Sequence, residues 1–366
     1  MRVALLISAN AWRGSGVSYA KIARGLHERG HLAHLVTAAP KVTRRLREEA
    51  LEVTQIPGRD TGPREVWALR RVLRRLGADA VITDTPRDVR LSAYATILHR
   101  ARIVYRYNLS YRRARSHLMD RLYNRRIAAC VFQSRYIRDE AIEQAHWTGR
   151  IPAYQIPNGY DTARYAPHPE AGAAFRATYR IPAANKVVLS AAKLTRNKGQ
   201  EVAIAALNLV RRSGTDVTYV VCGDGGREGE LVSLAHRLGL PVLFTGLLGT
   251  EEMIAAFNGA DLVVHPSLQE IFPNAVGEAM ACGRAVVAAD AGGTGELLGR
   301  DGSSGVLVPP DDPSALAEVV RSLLDDPARR AALGEAARRR IEAEYPLARM
   351  VDGYVAALEE VVGRNG

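Results

Sequence analysis

Short apolar runs alternate with amphipathic stretches along this chain, and the rhythm runs twice, interrupted once by an irregular segment. Such alternation is the pattern of parallel α/β layers, in which helices cover the strands. In the first half the spacing predicts strands at 3–8, 33–37, 80–83, 102–107 and 129–133, with helices at 18–29, 63–76 and 113–126. The second half predicts strands at 187–191, 217–222, 242–244, 262–265 and 285–289. Its helices fall at 200–213, 229–238, 251–259, 273–282, 313–324, 327–345 and 348–362. Between the halves, residues 151–169 collect Pro, Gly and Asn, which mark irregular chain and a domain boundary. The expected fold is therefore α/β, two doubly wound Rossmann-like domains facing across a cleft. The first is placed at 1–165 and the second at 166–345, with a C-terminal helix in 346–366 packing back on the first. Ligands of such sheets bind outside the carboxyl ends of the strands.

A length of 366 residues suits two cores rather than one. No apolar run approaches the roughly 18 residues that span a bilayer. The opening Met1–Ile7 stretch is too short for a signal peptide and reads as a first buried strand. Cys130, Cys222 and Cys282 are widely spaced and fit no metal pattern, so they read as free thiols of a reducing cytosol. The nine histidines include no HExxH, and no metal is expected; His265, beside Pro266, reads as structural. The net charge of +11 is uneven: residues 1–165 hold 30 Lys plus Arg against 14 Asp plus Glu, and the remainder 20 against 25. A basic first half is drawn to something anionic: a phosphorylated acceptor, a membrane surface or nucleic acid. Arginine on solvated helix faces is the plainer account of any single position. Nucleic acid itself is disfavoured, because no aromatic-basic platform accompanies the charge.

The chemistry concentrates where predicted strands end. Ser267–Met280 follows the strand at 262–265, and Pro273 suits the first turn of a helix. Amides near Asn274, Ala275 and Val276 would then offer a helix N-terminus to a diphosphate. Glu270 precedes that helix and Glu278 lies in its second turn, so they flank an anion site rather than forming an acid/base dyad. Carboxylates so placed accept from vicinal hydroxyls of a sugar or ribose. A loop carboxylate and an exposed helix residue fit the spacing equally well. Lys193 and Lys198, with Gly199, form a second loop able to neutralise a diphosphate. Gly223–Gly226 and Gly292–Glu296 are two further strand-end glycine clusters, each weak alone. After the first strand, Gly14 and Gly16 open a helix but lack a third glycine and an acidic partner, which excludes a dinucleotide fingerprint. No G-x-S-x-G or P-loop is present.

Glu270 and Glu278, set around Phe272-Pro273 and continuing to Gly283, resemble the signature of family 4 glycosyltransferases. The likeness extends over Lys198-Gly199, Gly223–Gly225, Gly292–Glu296 and 305–308, and more loosely over Asn158-Gly159, Asp161 and Gly14–Gly16. The resemblance implies a retaining transferase of the GT-B type, using a nucleotide-diphosphate sugar as co-substrate with no cofactor and no metal. It implies that Glu278 holds ribose hydroxyls, Glu270 the donor sugar, and Lys193 and Lys198 the diphosphate. Backbone from Phe272 and Pro273 through Asn274, Ala275 and Val276, with Gly14, Gly16 and Gly223, would complete the donor site. The family usually has Arg where this chain has Lys193, which loses a bidentate fork. It often has a His at the cleft end of an N-terminal strand; here the stretch is Tyr105-Arg106-Tyr107-Asn108, so Arg106 or Asn108 is expected on the acceptor side. The acceptor expected from the charge is an anionic glycan or lipid-linked intermediate, as in cell-envelope polysaccharide or lipopolysaccharide synthesis. That places the chain in the cytoplasm, against the inner face of the membrane through arginines of 112–126. Alternatives are a sugar-nucleotide epimerase and a non-catalytic sugar-nucleotide-binding protein.

Overall fold

The computed structural model describes residues 1–7, 14–58, 61–108, 125–144 and 151–363. The chain divides into two compact units, Met1–Gly159 with Leu347–Gly366, and Tyr160–Pro346. The first unit runs β1 (Arg2–Ile7), α1 (Gly14–Glu28), β2 (Leu32–Thr37), α2 (Pro40–Glu48), β3 (Val53–Gln55), α3 (Pro63–Leu76), β4 (Ala80–Thr83) and α4 (Pro86–Ala95). It continues with β5 (Arg102–Arg106), β6 (Ile127–Phe132), α5 (Arg135–Gln144) and β7 (Ala153–Gln155). Its seven strands are all parallel, in the order β3-β2-β1-β4-β5-β6-β7. Alternate residues of β1 explain why the strand is apolar throughout. Val3, Leu5 and Ile7 enter the core under α1 and α2, whereas Ala4 and Leu6 enter the core under α3 and α4.

The second unit runs α6 (Pro169–Thr178), β8 (Lys186–Ala191), α7 (Gln200–Arg212), β9 (Val217–Cys222), α8 (Glu228–Leu238), β10 (Val242–Gly246), α9 (Thr250–Gly259) and β11 (Leu262–His265). After β11 come α10 (Asn274–Ala281), β12 (Val286–Ala289), α11 (Thr294–Leu298), β13 (Val306–Val308), α12 (Pro313–Asp325) and α13 (Pro327–Glu344). The sheet is again all parallel, β10-β9-β8-β11-β12-β13. Val188 faces one core while Val187 and Leu189 face the other. Asp312 and Asp326 cap α12 and α13 through their carboxylates, each ahead of a proline that costs the first turn no hydrogen bond. The closing α14 (Leu347–Gly363) belongs to the first unit, where Met350, Val351, Tyr354 and Leu358 join the core beside α1.

Several boundaries differ from the sequence reading, for local reasons. Residues 160–165 belong to the second unit, not the first, because Tyr160 and Tyr165 are buried in its core and the Tyr160 amide donates to the Tyr345 carbonyl at 2.9 Å. Helix α1 starts at Gly14, so Gly14 and Gly16 lie inside its first turn rather than in a loop before it. Pro273 is the residue before α10, with extended backbone (φ −77°, ψ 106°), not a member of its first turn. Helices α2, α4, α5 and α6 are not expected from the sequence, because they are poor in apolar residues or short of a single apolar stripe. The first has only Val42, Thr43 and Leu46 buried, while α4 is buried nearly all round. The helix expected at 113–126 lies outside the described residues except for its last two positions.

Candidate active site

The order of the second sheet reverses direction between β8 and β11, its two central strands, and a crevice opens outside the carboxyl ends at such a point. The two loops that leave those ends are stitched together. Leu268 N donates to the Asn197 carbonyl at 2.9 Å, and Ser267 Oγ donates to the same oxygen at 3.1 Å. Gly199 stands at φ +65° with the Pro266 carbonyl where a Cβ would go, so a side chain there would part the loops. On this platform Lys198 Nζ meets Glu270 Oε1 at 2.5 Å, and His265 Nε2 meets the same oxygen at 2.8 Å.

Both contacts fall on one carboxylate oxygen, and the Glu270 side chain is only 11% exposed. Burial alone would raise its pKa. The hydrogen bond and charge of His265, with the charge and hydrogen bond of Lys198, outweigh burial and bring it down to about 2. Glu270 is therefore a fixed anion and acceptor across the physiological range, unsuited to general-acid work. The loop after β9 is tied to the loops after β8 and β10, and the loop after β12 closes on Glu270. Leu194 N donates to the Asp224 carbonyl and Gly223 N to the Gly246 carbonyl, at 2.9 and 2.8 Å. Gly293 N donates to the Glu270 carbonyl at 3.3 Å, and Gly292, at φ +57°, leaves room for that same carbonyl.

Helix α10 begins beside this platform, and its first amides, from Asn274 to Val276, belong to the turn whose N–H groups find no acceptor within the helix itself. The side chains of Phe272, Pro273 and Val276 are buried, Phe272 against Tyr345 with ring centroids 5.6 Å apart. Only their backbone is left to serve a ligand. Glu278, one turn on, is half-buried and hydrogen-bonded to Tyr165. Tyr160 packs its ring against Gly277; burial first, then the charges of Glu278 and Glu270 among others, push its pKa well above the usual tyrosine value. Lys193 is exposed, and its carbonyl accepts from Gln200 Nε2 at 3.0 Å.

Sequence reasoning took His265 for a structural residue and gave Tyr160 no role. The signal for His265 was its place at the last residue of a strand, five positions before Glu270. Tyr160 gave none, since its contact with Gly277 joins distant parts of the chain. In the first unit, Arg106 ends β5 but is 4% exposed and committed inward. It donates to Asn158 Oδ1 at 2.9 Å and hydrogen-bonds Tyr354, and the Gln133 amide, turned oxygen-inward, accepts from its Nε at 2.8 Å. Asn108 is half-buried at the end of the described stretch.

The sequence model for Glycosyltransferase Family 4 matches residues 12–164, and that for Glycosyl transferases group 1 matches residues 173–340. The chain belongs to the family 4 glycosyltransferases. Glycogen synthase of Mycobacterium tuberculosis is 35% identical over 195 residues, 52% of this chain and 44% of that one. A GDP-mannose-dependent monoacylated alpha-(1-6)-phosphatidylinositol monomannoside mannosyltransferase of Corynebacterium glutamicum is 32% identical over 206 residues, 54% of each chain. The chain spans about half the length of the curated relatives it matches. Among solved structures, a Rickettsia africae glycosyltransferase superposes with a TM-score of 0.87 at 18% identity, covering 99% of this chain and 98% of that one. HepE of Anabaena, solved with UDP-glucose, gives 0.86 at 24% identity, covering 98% and 100%. This family 4 member thus has the expected fold class, two parallel-sheet α/β units of the GT-B type.

Proposed function

We propose that this family 4 member is a retaining glycosyltransferase whose second unit binds a nucleotide-diphosphate sugar at the β8/β11 edge. The observation that carries the reading is Glu270 held as an anion by Lys198 and His265 on one oxygen. Its second oxygen can then accept from donor-sugar hydroxyls, while the first turn of α10 and the lysines Lys198 and Lys193 face a diphosphate. Glu278 takes the ribose hydroxyls. In the reaction the bond from C1 to the phosphate oxygen breaks and a bond from the acceptor oxygen to C1 forms on the same face. The acceptor proton passes to the leaving phosphate, so no protein base and no metal is needed. Positive charge at the leaving group comes from lysine and helix amides.

The acceptor we propose is anionic and membrane-borne, a glycan or lipid-linked intermediate of envelope or lipopolysaccharide synthesis at the cytoplasmic face. Its support is the excess of 30 basic over 14 acidic residues in the first 165. The Corynebacterium relative, by its name, acts on a phosphatidylinositol mannoside. The test is to incubate the protein with UDP-, GDP-, ADP- and dTDP-sugars and lipid-extract acceptors, and read nucleotide release together with the product's anomeric configuration by NMR. Retained configuration and acceptor-dependent release support the proposal. Turnover of a nucleotide sugar with no acceptor would instead identify an epimerase.

A further inference from the structure

The first unit presents a second feature, away from its strand ends. The exposed positions of α3 are Pro63, Arg64, Trp67, Arg71, Arg74 and Arg75. At 100° per residue, Arg64, Trp67, Arg71, Arg74 and Arg75 fall within an arc of about 100°. The face across from that arc buries Leu69, Val72 and Leu73. Trp67 is 63% exposed, with the Arg71 guanidinium 5.4 Å from its ring centroid. The arc continues onto the end of α4, because Arg70 donates to the carbonyls of Tyr94 and Ala95 at 2.9 and 3.2 Å. There Tyr94, Ile97 and Leu98 are exposed, Leu98 at 94% and with φ +61°, a conformation that branched side chains disfavour.

This combination is not that of an ordinary solvated face. Of the exposed positions on α3, on α4 and in the turn to residue 100, none is acidic. Glu65, the one acid of α3, turns away toward Gly58 and Gly62. Arg100 is already paired with Asp79 at 2.8 Å. Four arginines of the arc remain around a tryptophan, and a leucine is exposed in a costly backbone state with nothing among the described residues of its unit covering it.

We infer that this face of the first unit docks on an anionic lipid bilayer. The arginines lie among the headgroups, and Trp67, Ile97 and Leu98 reach the acyl boundary. A nucleic-acid backbone would pair with the arginines but leave Ile97 and Leu98 in water, which favours the bilayer. The inference does not rest on the transferase reading, since vesicle binding is measured without turnover.

The experiment is co-sedimentation of the full chain with vesicles of phosphatidylcholine alone and of phosphatidylcholine mixed with phosphatidylglycerol, across a salt series. Binding is expected only to the anionic vesicles and should weaken as salt rises. Each of Arg64→Gln, Arg71→Gln, Arg74→Gln and Arg75→Gln should lower partitioning about fivefold. The pair Trp67→Ser with Leu98→Ser should lower it at least tenfold while leaving the salt dependence in place. A control set on α2, Lys41→Gln, Arg44→Gln and Arg47→Gln, should change it far less, and thermal unfolding confirms that every variant folds. Equal losses from the α2 set, or no binding to the anionic vesicles whether or not duplex DNA binds through the same arginines, would overturn the inference.

Discussion

The two sheets share one strand order through their centres, yet treat the carboxyl edge in opposite ways. In the second unit the charged groups at the edge grade from buried to open: Glu270 is 11% and Lys198 21% exposed, and Lys193 is open. Among the described residues of the first unit the comparable groups are sealed. Arg106, Asp84, Tyr19 and Tyr354 are all buried, and Tyr354 comes from α14, the helix that returns to this unit after the chain has built the other. A doubly wound sheet offers a crevice wherever its order reverses. In the proposed reading the second unit keeps that crevice for a ligand, whereas in the first the strand-end Arg106 is committed to Asn158 and Tyr354. Function-loss and stability-loss variants should therefore separate between the units.

The largest expected effect is on turnover. Glu270→Gln should lower kcat about 10²–10³-fold in a protein that still folds, with Tm lowered only by the loss of its contacts to Lys198 and His265. A variant that unfolds instead would show that the carboxylate is structural. Next, Arg106→Met should destabilise the protein by about 2–4 kcal/mol in denaturant unfolding, by stranding Asn158 and Tyr354. Its nucleotide affinity should stay the same; full stability with lost turnover would break the comparison and return Arg106 to the acceptor side. Gly292→Ala needs a left-handed alanine and a displaced Glu270 carbonyl. It should cost about 1–3 kcal/mol and weaken donor binding, read by calorimetry.

Smaller still is the pH signature. The folded pKa of Glu270 is depressed to about 2 from an ordinary 4.5, so its stabilising contribution is full above the ordinary value and is lost as pH falls through the folded one. The stability gap between the native chain and Glu270→Gln should be flat from neutral pH to about 5 and shrink below that. A gap that varies between pH 6 and 8 would implicate another group. Smallest is His265→Asn, which keeps a donor near Glu270 Oε1 and should lower kcat less than about tenfold, read by steady-state kinetics.

Much of this contrast could be read in the sequence for the second unit and little for the first. Strand ends with Lys198-Gly199, Glu270 and Gly292-Gly293 are local signals, because each loop's chemistry lies within a few residues of its strand. Helix α3 was legible for the same reason, with an apolar stripe and Pro63 at its start. Arg106, by contrast, reads as a strand-end cation, and only its partners Asn158 and Tyr354, far along the chain, reveal a buried post. Tyr160 and Tyr165 were assigned to the wrong unit because Asn158-Gly159 signals irregular chain without saying which core takes the aromatics that follow. Pro273 fits an N-cap or a first turn equally well on residue type alone.

The most direct test of the central claim, that the β8/β11 edge holds a nucleotide-diphosphate sugar, is a thermal-unfolding panel. UDP, GDP, ADP, CMP and dTDP, each free and sugar-linked, would be compared on the native chain and on Glu278→Ala and Lys198→Ala. The account predicts one nucleotide that, at a hundredfold its Kd, stabilises the native chain by about 2.7 kcal/mol and does so far less in both variants. No stabilisation by any of them, or a shift that survives both substitutions, would contradict it.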